Sequence, residues 1–169
     1  MQKVKYIFLK QVLIVMAIST FANLLKAQDA TTDNPDKETN IQTMIDDHRF
    51  VFTAQSAHPT RGQVMQLNGQ YDLKISPDTV RGYLPYFGRA YSAPVDGRGG
   101  GIDFVSKDFH YRQKNRKRGG WEISVKPKDI NDIREVFLTI FENGSASLRV
   151  FSNNREVISY NGYLRGSNN

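Results

Sequence analysis

The chain has 169 residues, no cysteine, and 23 lysines and arginines against 17 aspartates and glutamates. Without cysteine it can form no disulfide, no thiolate metal site and no lipoprotein-type lipid anchor, so its stability must come from an apolar core. The formal charge of +6 is concentrated at the start: beyond residue 27 there remain 19 cations against 17 anions. Net charge therefore gives no support to a general nucleic-acid role.

Taken in chain order, Lys3, Lys5 and Lys10 precede an apolar run from Val12 to Leu25, followed by Leu25-Lys26-Ala27 and then Gln28. This is the charged start, apolar middle and small-residue exit of a secretory signal peptide, with cleavage expected after Ala27. The run spans 14 residues, interrupted by Ser19, Thr20 and Asn23. A membrane-crossing helix needs about 20. The expected product is periplasmic or secreted, without a lipid anchor and without a membrane span.

Residues 28–40 (QDATTDNPDKETN) are polar, contain no aromatic and read as a disordered tether. A single domain is expected over residues 41–165. Ile41, Met44, Ile45 and His48 stand at helical spacing, with Thr39 or Asn40 as the N-cap, and predict a short leading helix.

After the helix the apolar period changes to two. Phe50–Ala54 starts a strand, Tyr71, Leu73 and Ile75 share one face of the next, and Gly101–Val105 and Phe109–Arg112 alternate again. Trp121, Ile123 and Val125 point inward in the clearest case. Arg134–Phe141, Ala146–Phe151 and Val157–Leu164 form a meander, with Asn143-Gly144 as a hairpin turn whose two residues tolerate positive φ. Lys128–Asp132 is expected to make one helical turn. The fold class that follows is all-β and mainly antiparallel, a small sandwich or partly open barrel with a short N-terminal helix.

Two segments are candidate binding sites. Tyr83, Tyr86, Phe87, Arg89 and Tyr91 crowd into nine residues ahead of the glycine-rich Asp96–Gly101. They offer stacking surfaces for a sugar, peptide or base; the plainer and favoured reading is that the rings plug one end of the barrel. Arg112, Lys114, Arg116, Lys117 and Arg118 supply five cations in seven residues, expected at the tip of a hairpin. They are suited to an anionic glycan, lipid or envelope protein, and a solvated loop that discourages edge pairing is the plainer reading.

Other chemistry is weakly represented. His48, His58 and His110 are expected on a helix, a loop and a strand, and lack metal-ligand spacing. Asp46 and Asp47 point about 100° apart on a helix, which suits capping or solvation. No Gly-x-Ser-x-Gly elbow is present. Gly97-Arg98-Gly99-Gly100-Gly101 lacks the ending of a phosphate loop. No catalytic residue, metal or cofactor is assigned.

The run Tyr83-Leu84-Pro85-Tyr86-Phe87-Gly88-Arg89-Ala90-Tyr91, with Gly100-Gly101-Ile102-Asp103-Phe104, resembles the core signature of domain-of-unknown-function family number 4251, found in secreted proteins of Bacteroidota. Asn143-Gly144, Ala146-Ser147-Leu148 and Asn154-Arg155 through Gly162 are similar to its C-terminal pattern. The resemblance covers Phe50 to Leu164. It implies an exported location and a fold, and no activity. Members of that family often begin with a lipoprotein signal, from which this cysteine-free chain departs.

The function expected from the sequence is an exported, non-catalytic binding or interaction module of the bacterial cell envelope. The alternatives are a small envelope-acting hydrolase and a structural subunit of an envelope assembly.

Overall fold

The computed structural model describes residues 35–91 and 100–167. The expected signal peptide, most of the tether and residues 92–99 of the glycine-rich segment lie outside the described residues. Among those described, no helix is long and apolar enough to cross a membrane.

Helix α1 runs Pro35–Asp46. It starts well before the expected Ile41, so the last six tether residues are helical. Proline at the opening of a helix costs nothing, because its missing N–H would have no partner there. Ile41 and Ile45 are buried. The helix ends in a paired closing motif: the Arg49 N–H donates to the Met44 carbonyl (2.9 Å) and the His48 N–H to the Ile45 carbonyl (3.1 Å). His48 takes the left-handed position that this motif requires, with φ of 51°. Its ring packs on Tyr111, centroids 4.0 Å apart.

Among the described residues ten strands follow: β1 (Phe50–Pro59), β2 (Met65–Gln66), β3 (Asp72–Ile75), β4 (Val80–Leu84), β5 (Ile102–Ser106), β6 (Phe109–Asn115), β7 (Trp121–Pro127), β8 (Ile133–Ile140), β9 (Ser145–Ser152) and β10 (Ile158–Gly166). Their order is β5-β4-β3-β1-β10-β9-β8-β7-β6, with β2 alongside the second half of β1. All pairings are antiparallel. The architecture is an antiparallel sheet nearly closed into a barrel.

The near-closure follows from strand directions. Stepping from β1, β5 lies three pairings away and β6 five, both odd, so the two run the same way. They are halves of one bent stave, broken only at Lys107-Asp108, with β5 paired to β4 and β6 to β7. Counted so, the barrel has eight staves, the size at which inward side chains just fill the interior. Phe50, Phe52, Leu73, Ile75, Ile123, Leu138 and Tyr160 do fill it.

The Asp129 carboxylate clamps that break, accepting from the Ser106 hydroxyl (2.5 Å) and from the backbone N–H of Lys107 (2.7 Å) and Asp108 (3.2 Å). The expected helical turn at Lys128–Asp132 is absent, because Asp129 and its neighbours form the bend that delivers this carboxylate. The Ser106 hydrogen bond, then that of Lys107, holds the Asp129 carboxyl down to about 2, against an ordinary 3.8. A depressed carboxylate contributes stability above its ordinary range, and loses it as pH falls through the folded value. Thermal midpoints should therefore drop more steeply between about pH 4 and pH 2 in the wild-type protein than in Asp129→Asn. Equal slopes would show that the clamp carries no stability.

Sequence periodicity places the inward faces correctly: Leu73, Ile75, Trp121, Ile123 and Val125 are all buried, and Tyr71 packs at the edge of the core. The β8–β9 turn differs from expectation. Only Gly144 has positive φ (83°), and its N–H bonds the Phe141 carbonyl (2.9 Å). Asn143 instead uses its side-chain oxygen to accept from the Ser145 N–H (2.9 Å) and hydroxyl (2.7 Å).

Gly82 and Leu84, where no strand is expected from the sequence, belong to β4 and face the core. Gly82 has no side chain because the Phe104 ring lies across it, 2.4 Å from where a Cβ would sit. Gly82→Val should evict that ring and cost about 2–3 kcal/mol in denaturant unfolding; a change below about 0.5 kcal/mol would contradict this packing.

Candidate functional site

The topology sends the two candidate segments to opposite ends of the barrel. The β6–β7 tip lies at the end where β1 starts and where the Trp121 indole N–H donates to Gln42 of α1 (2.9 Å). The aromatic segment lies at the other end, beside the β9–β10 turn.

The aromatic segment does not form the expected plug, since Tyr83, Phe87 and Tyr91 are exposed. Tyr86 alone packs against the core, its hydroxyl donating between the carbonyls of Arg89 (2.7 Å) and Glu156 (3.0 Å). Burial, then the nearby Glu156 charge, pushes its phenol pKa up. Tyr83 points outward from β4, stacked on Tyr71 with centroids 5.8 Å apart. Phe87 and Tyr91 are 43% and 71% exposed, and Arg89 is exposed. The rings diverge because strand alternation aims Tyr83 away from the core while the turn hydrogen bonds draw Tyr86 inward.

What holds this end together is Arg155, to which the sequence reading gave no site role. Its Nη1 donates to the carbonyls of Gly100 (2.9 Å) and Gly101 (2.7 Å), and its Nη2 lies 3.7 Å from Asp132. Its guanidinium also covers the Tyr86 ring, 5.3 Å from the centroid. The Tyr160 hydroxyl, inside the barrel, donates to the Pro85 carbonyl (2.6 Å). These are fastenings of a loop, and they explain why an arginine follows Asn154 in the turn.

The basic segment is also divided differently from expectation. Lys114 lies on β6 rather than in the hairpin tip, Arg112 lies on the same strand as the Phe109–Arg112 alternation expects, and both point outward. β6 extends to Asn115 because each of its residues through that point pairs with β7. Arg116 is held: its Nη1 donates to the Gly119 carbonyl (3.3 Å), its Nε lies 3.9 Å from Glu122, and its guanidinium covers Phe141. Gly119 and Gly120 both take positive φ and turn the chain beneath it. Lys117 and Arg118 are exposed. Among the described residues no carboxylate lies within ion-pair distance of Arg112, Lys114, Lys117 or Arg118.

Beside these cations the outer face of β6, β7 and β8 holds a trough of about 580 Å³. Its depth comes from Ser124, a short side chain between Arg112 of β6 and Phe137 of β8 in the same cross-strand row. His110 and Lys126 line one end, and Lys114 and Glu122 the other. Glu135 accepts from the Ser124 hydroxyl (2.6 Å) and lies 3.8 Å from Lys126. Strand alternation around one small residue makes this trough, a signal present in the sequence as Glu122, Ser124 and Lys126 but not read as a site.

The three histidines do not converge. His58 sits on β1, not in the expected loop, with Ser56 and Asn161 as partners; His48 lies just past α1, and His110 is on β6. Among the described residues no three metal-capable side chains come together.

The sequence pattern of DUF4251, a domain of unknown function, matches residues 33–164. The match starts earlier than the resemblance read from Phe50 onward, and so takes in α1. The fold is similar to that of a crystal structure of a DUF4251 family protein from Bacteroides eggerthii. That similarity has a TM-score of 0.56 at 16% identity, covering 77% of this chain and 87% of the other. No curated protein matches the chain. With its family pattern spanning α1 and nearly the whole barrel, this chain belongs to the DUF4251 family.

Proposed function

We propose that the protein is an exported, non-catalytic binding module that holds an anionic component of the bacterial cell envelope on β6 and the β6–β7 tip. The observation that carries this reading is the row Arg112, Lys114, Lys117 and Arg118, exposed cations without acidic partners among the described residues, on a chain otherwise near neutrality. The filled barrel interior favours an outer-surface site over an internal one. Export is supported by the signal-like residues 1–27 and by the family's link with secreted Bacteroidota proteins. Arg116 is excluded from the ligand-binding set because its guanidinium already serves the turn. The aromatic segment is a lesser candidate, since Tyr86 packs against the core while Tyr83 points outward from β4.

A structural-subunit role would call for an edge open to another sheet. β6 is such an edge, but it carries Arg112 and Lys114, cations that oppose edge-to-edge pairing.

Replacing Arg112, Lys114, Lys117 and Arg118 together with serine should abolish retention on vesicles containing phosphatidylglycerol at low salt, with the thermal midpoint essentially unchanged. Wild-type retention should fall steeply as salt rises, because exposed charges more than about 8–10 Å apart are screened near physiological ionic strength. Retention that survives the four substitutions would defeat the proposal.

A further inference from the structure

The trough beside the basic row has a lining that narrows the class of ligand. Its cations, Arg112, Lys114 and Lys126, stand among two carboxylates, Glu122 and Glu135. A densely charged anion such as a polyphosphate would gain from the first set and be repelled by the second. An uncharged sugar would leave Arg112 and Lys114 unanswered. A ligand carrying both an anionic group and several hydroxyl donors satisfies both sets, since hydroxyls donate to carboxylates while the anion meets the cations.

The floor adds a third requirement. Phe137 is half-buried, outside the core cluster, and lines the trough next to Ser124. An aromatic ring that lines a polar trough can stack on the C–H side of a pyranose. Arg149 of β9 stands opposite Phe137 in the cross-strand register and is exposed, so arginines flank the Ser124–Phe137 floor on both sides. A guanidinium engages a carboxylate with two parallel hydrogen bonds. The volume of about 580 Å³ falls within the range of about 300–1,000 Å³ usual for small-ligand sites.

We infer that the β6–β7–β8 trough seats a carboxylated pyranose, its ring on Phe137 and its carboxylate on Arg112. This rests on the reading of β6 as the anion-binding face and names the ligand class for it.

The test titrates the domain with tetramers of galacturonate and of mannuronate, with an uncharged pyranose tetramer in parallel, and follows backbone amide shifts. At least one uronate tetramer should bind saturably, shifting amides of residues 110–114, 122–126 and 135–137. Phe137→Ala should weaken that binding at least tenfold while leaving vesicle retention intact. Phe137→Tyr, which keeps the ring, should retain the binding. Three results would overturn the inference: neither uronate binds, the uncharged tetramer binds equally well, or Phe137→Ala binds as wild type. Should uronates fail while vesicle retention persists, only the ligand class is wrong; loss of both defeats the anion-binding reading as well.

Discussion

Gly162→Ala is expected to destabilise the domain by about 3 kcal/mol, the upper end of the usual overpacking cost. A Cβ at this position would lie 1.9 Å from the Thr53 carbonyl oxygen and 2.9 Å from its carbon. The obstruction is backbone, so no rotamer change relieves it. Gly162 pairs with Ala54, immediately before the register shift between Ala54 and Ser56 that lets β1 bend along β10. This pairing runs the length of both strands and joins the first stave to the last, so opening it opens the barrel. Against a typical total of about 5–15 kcal/mol, the loss would show as a clear shift of the urea midpoint. Gly100→Ala, where an added Cβ meets nothing within 4 Å, is the matched control and should stay within about 0.5 kcal/mol. A Gly162→Ala protein as stable as that control would mean that β1 and β10 are not so closely apposed.

Arg155→Met is the second large effect. It removes a side chain that is 11% exposed and leaves the Gly100 and Gly101 carbonyls without their donor. Stranding the partly buried Gly101 acceptor costs about 1–3 kcal/mol, and loss of the guanidinium over Tyr86 adds to it. The hydrogen bonds from Tyr91 N–H to Asn154 and from Glu156 N–H to Arg89 bridge the same two segments. Hydrogen exchange at these two amides should speed up far more than at β8 or β9, where protection should follow the global stability alone. Arg155→Lys should not rescue it, because a single ammonium cannot reproduce the planar fork that spans two carbonyls and a carboxylate. Unchanged exchange at Tyr91 and Glu156 would show that Arg155 does not fasten this end.

Most of the barrel was legible because half-buried strands write their inward face at period two. Trp121, Ile123 and Val125, or Leu73 and Ile75, could hardly be read otherwise. The errors have local causes. Residues 35–40 looked like tether from their polar composition, although Pro35 opens α1, where proline is tolerated. Gly82 hid the inward face of β4, because the core there is filled by Phe104 from the neighbouring strand. Asp129 looked like part of a helical turn, and its role as a clamp depends on Ser106 and Lys107, more than twenty residues earlier in sequence. The basic run was visible as charge, but its division into a held Arg116 and free neighbours depends on Glu122, Gly119 and Phe141. Arg155 illustrates the same limit. Its carbonyl partners lie 55 and 54 residues away, and nothing near it in sequence points to them.

The barrel thus places two kinds of arginine in view: Arg155 and Arg116 are committed to loops, while Arg112 and Arg118 are free to act on something else. The most direct measurement of the anion-binding claim is to titrate the wild-type domain with phosphatidylglycerol-containing bicelles at low salt and map the backbone amide shifts. Shifts should be confined to Arg112, Lys114, Lys117, Arg118 and their immediate neighbours, and be reversed by added salt. Shifts centred on Tyr83–Tyr91 would move the binding face to the other end of the barrel, and the absence of any shift would rule out anion binding by β6.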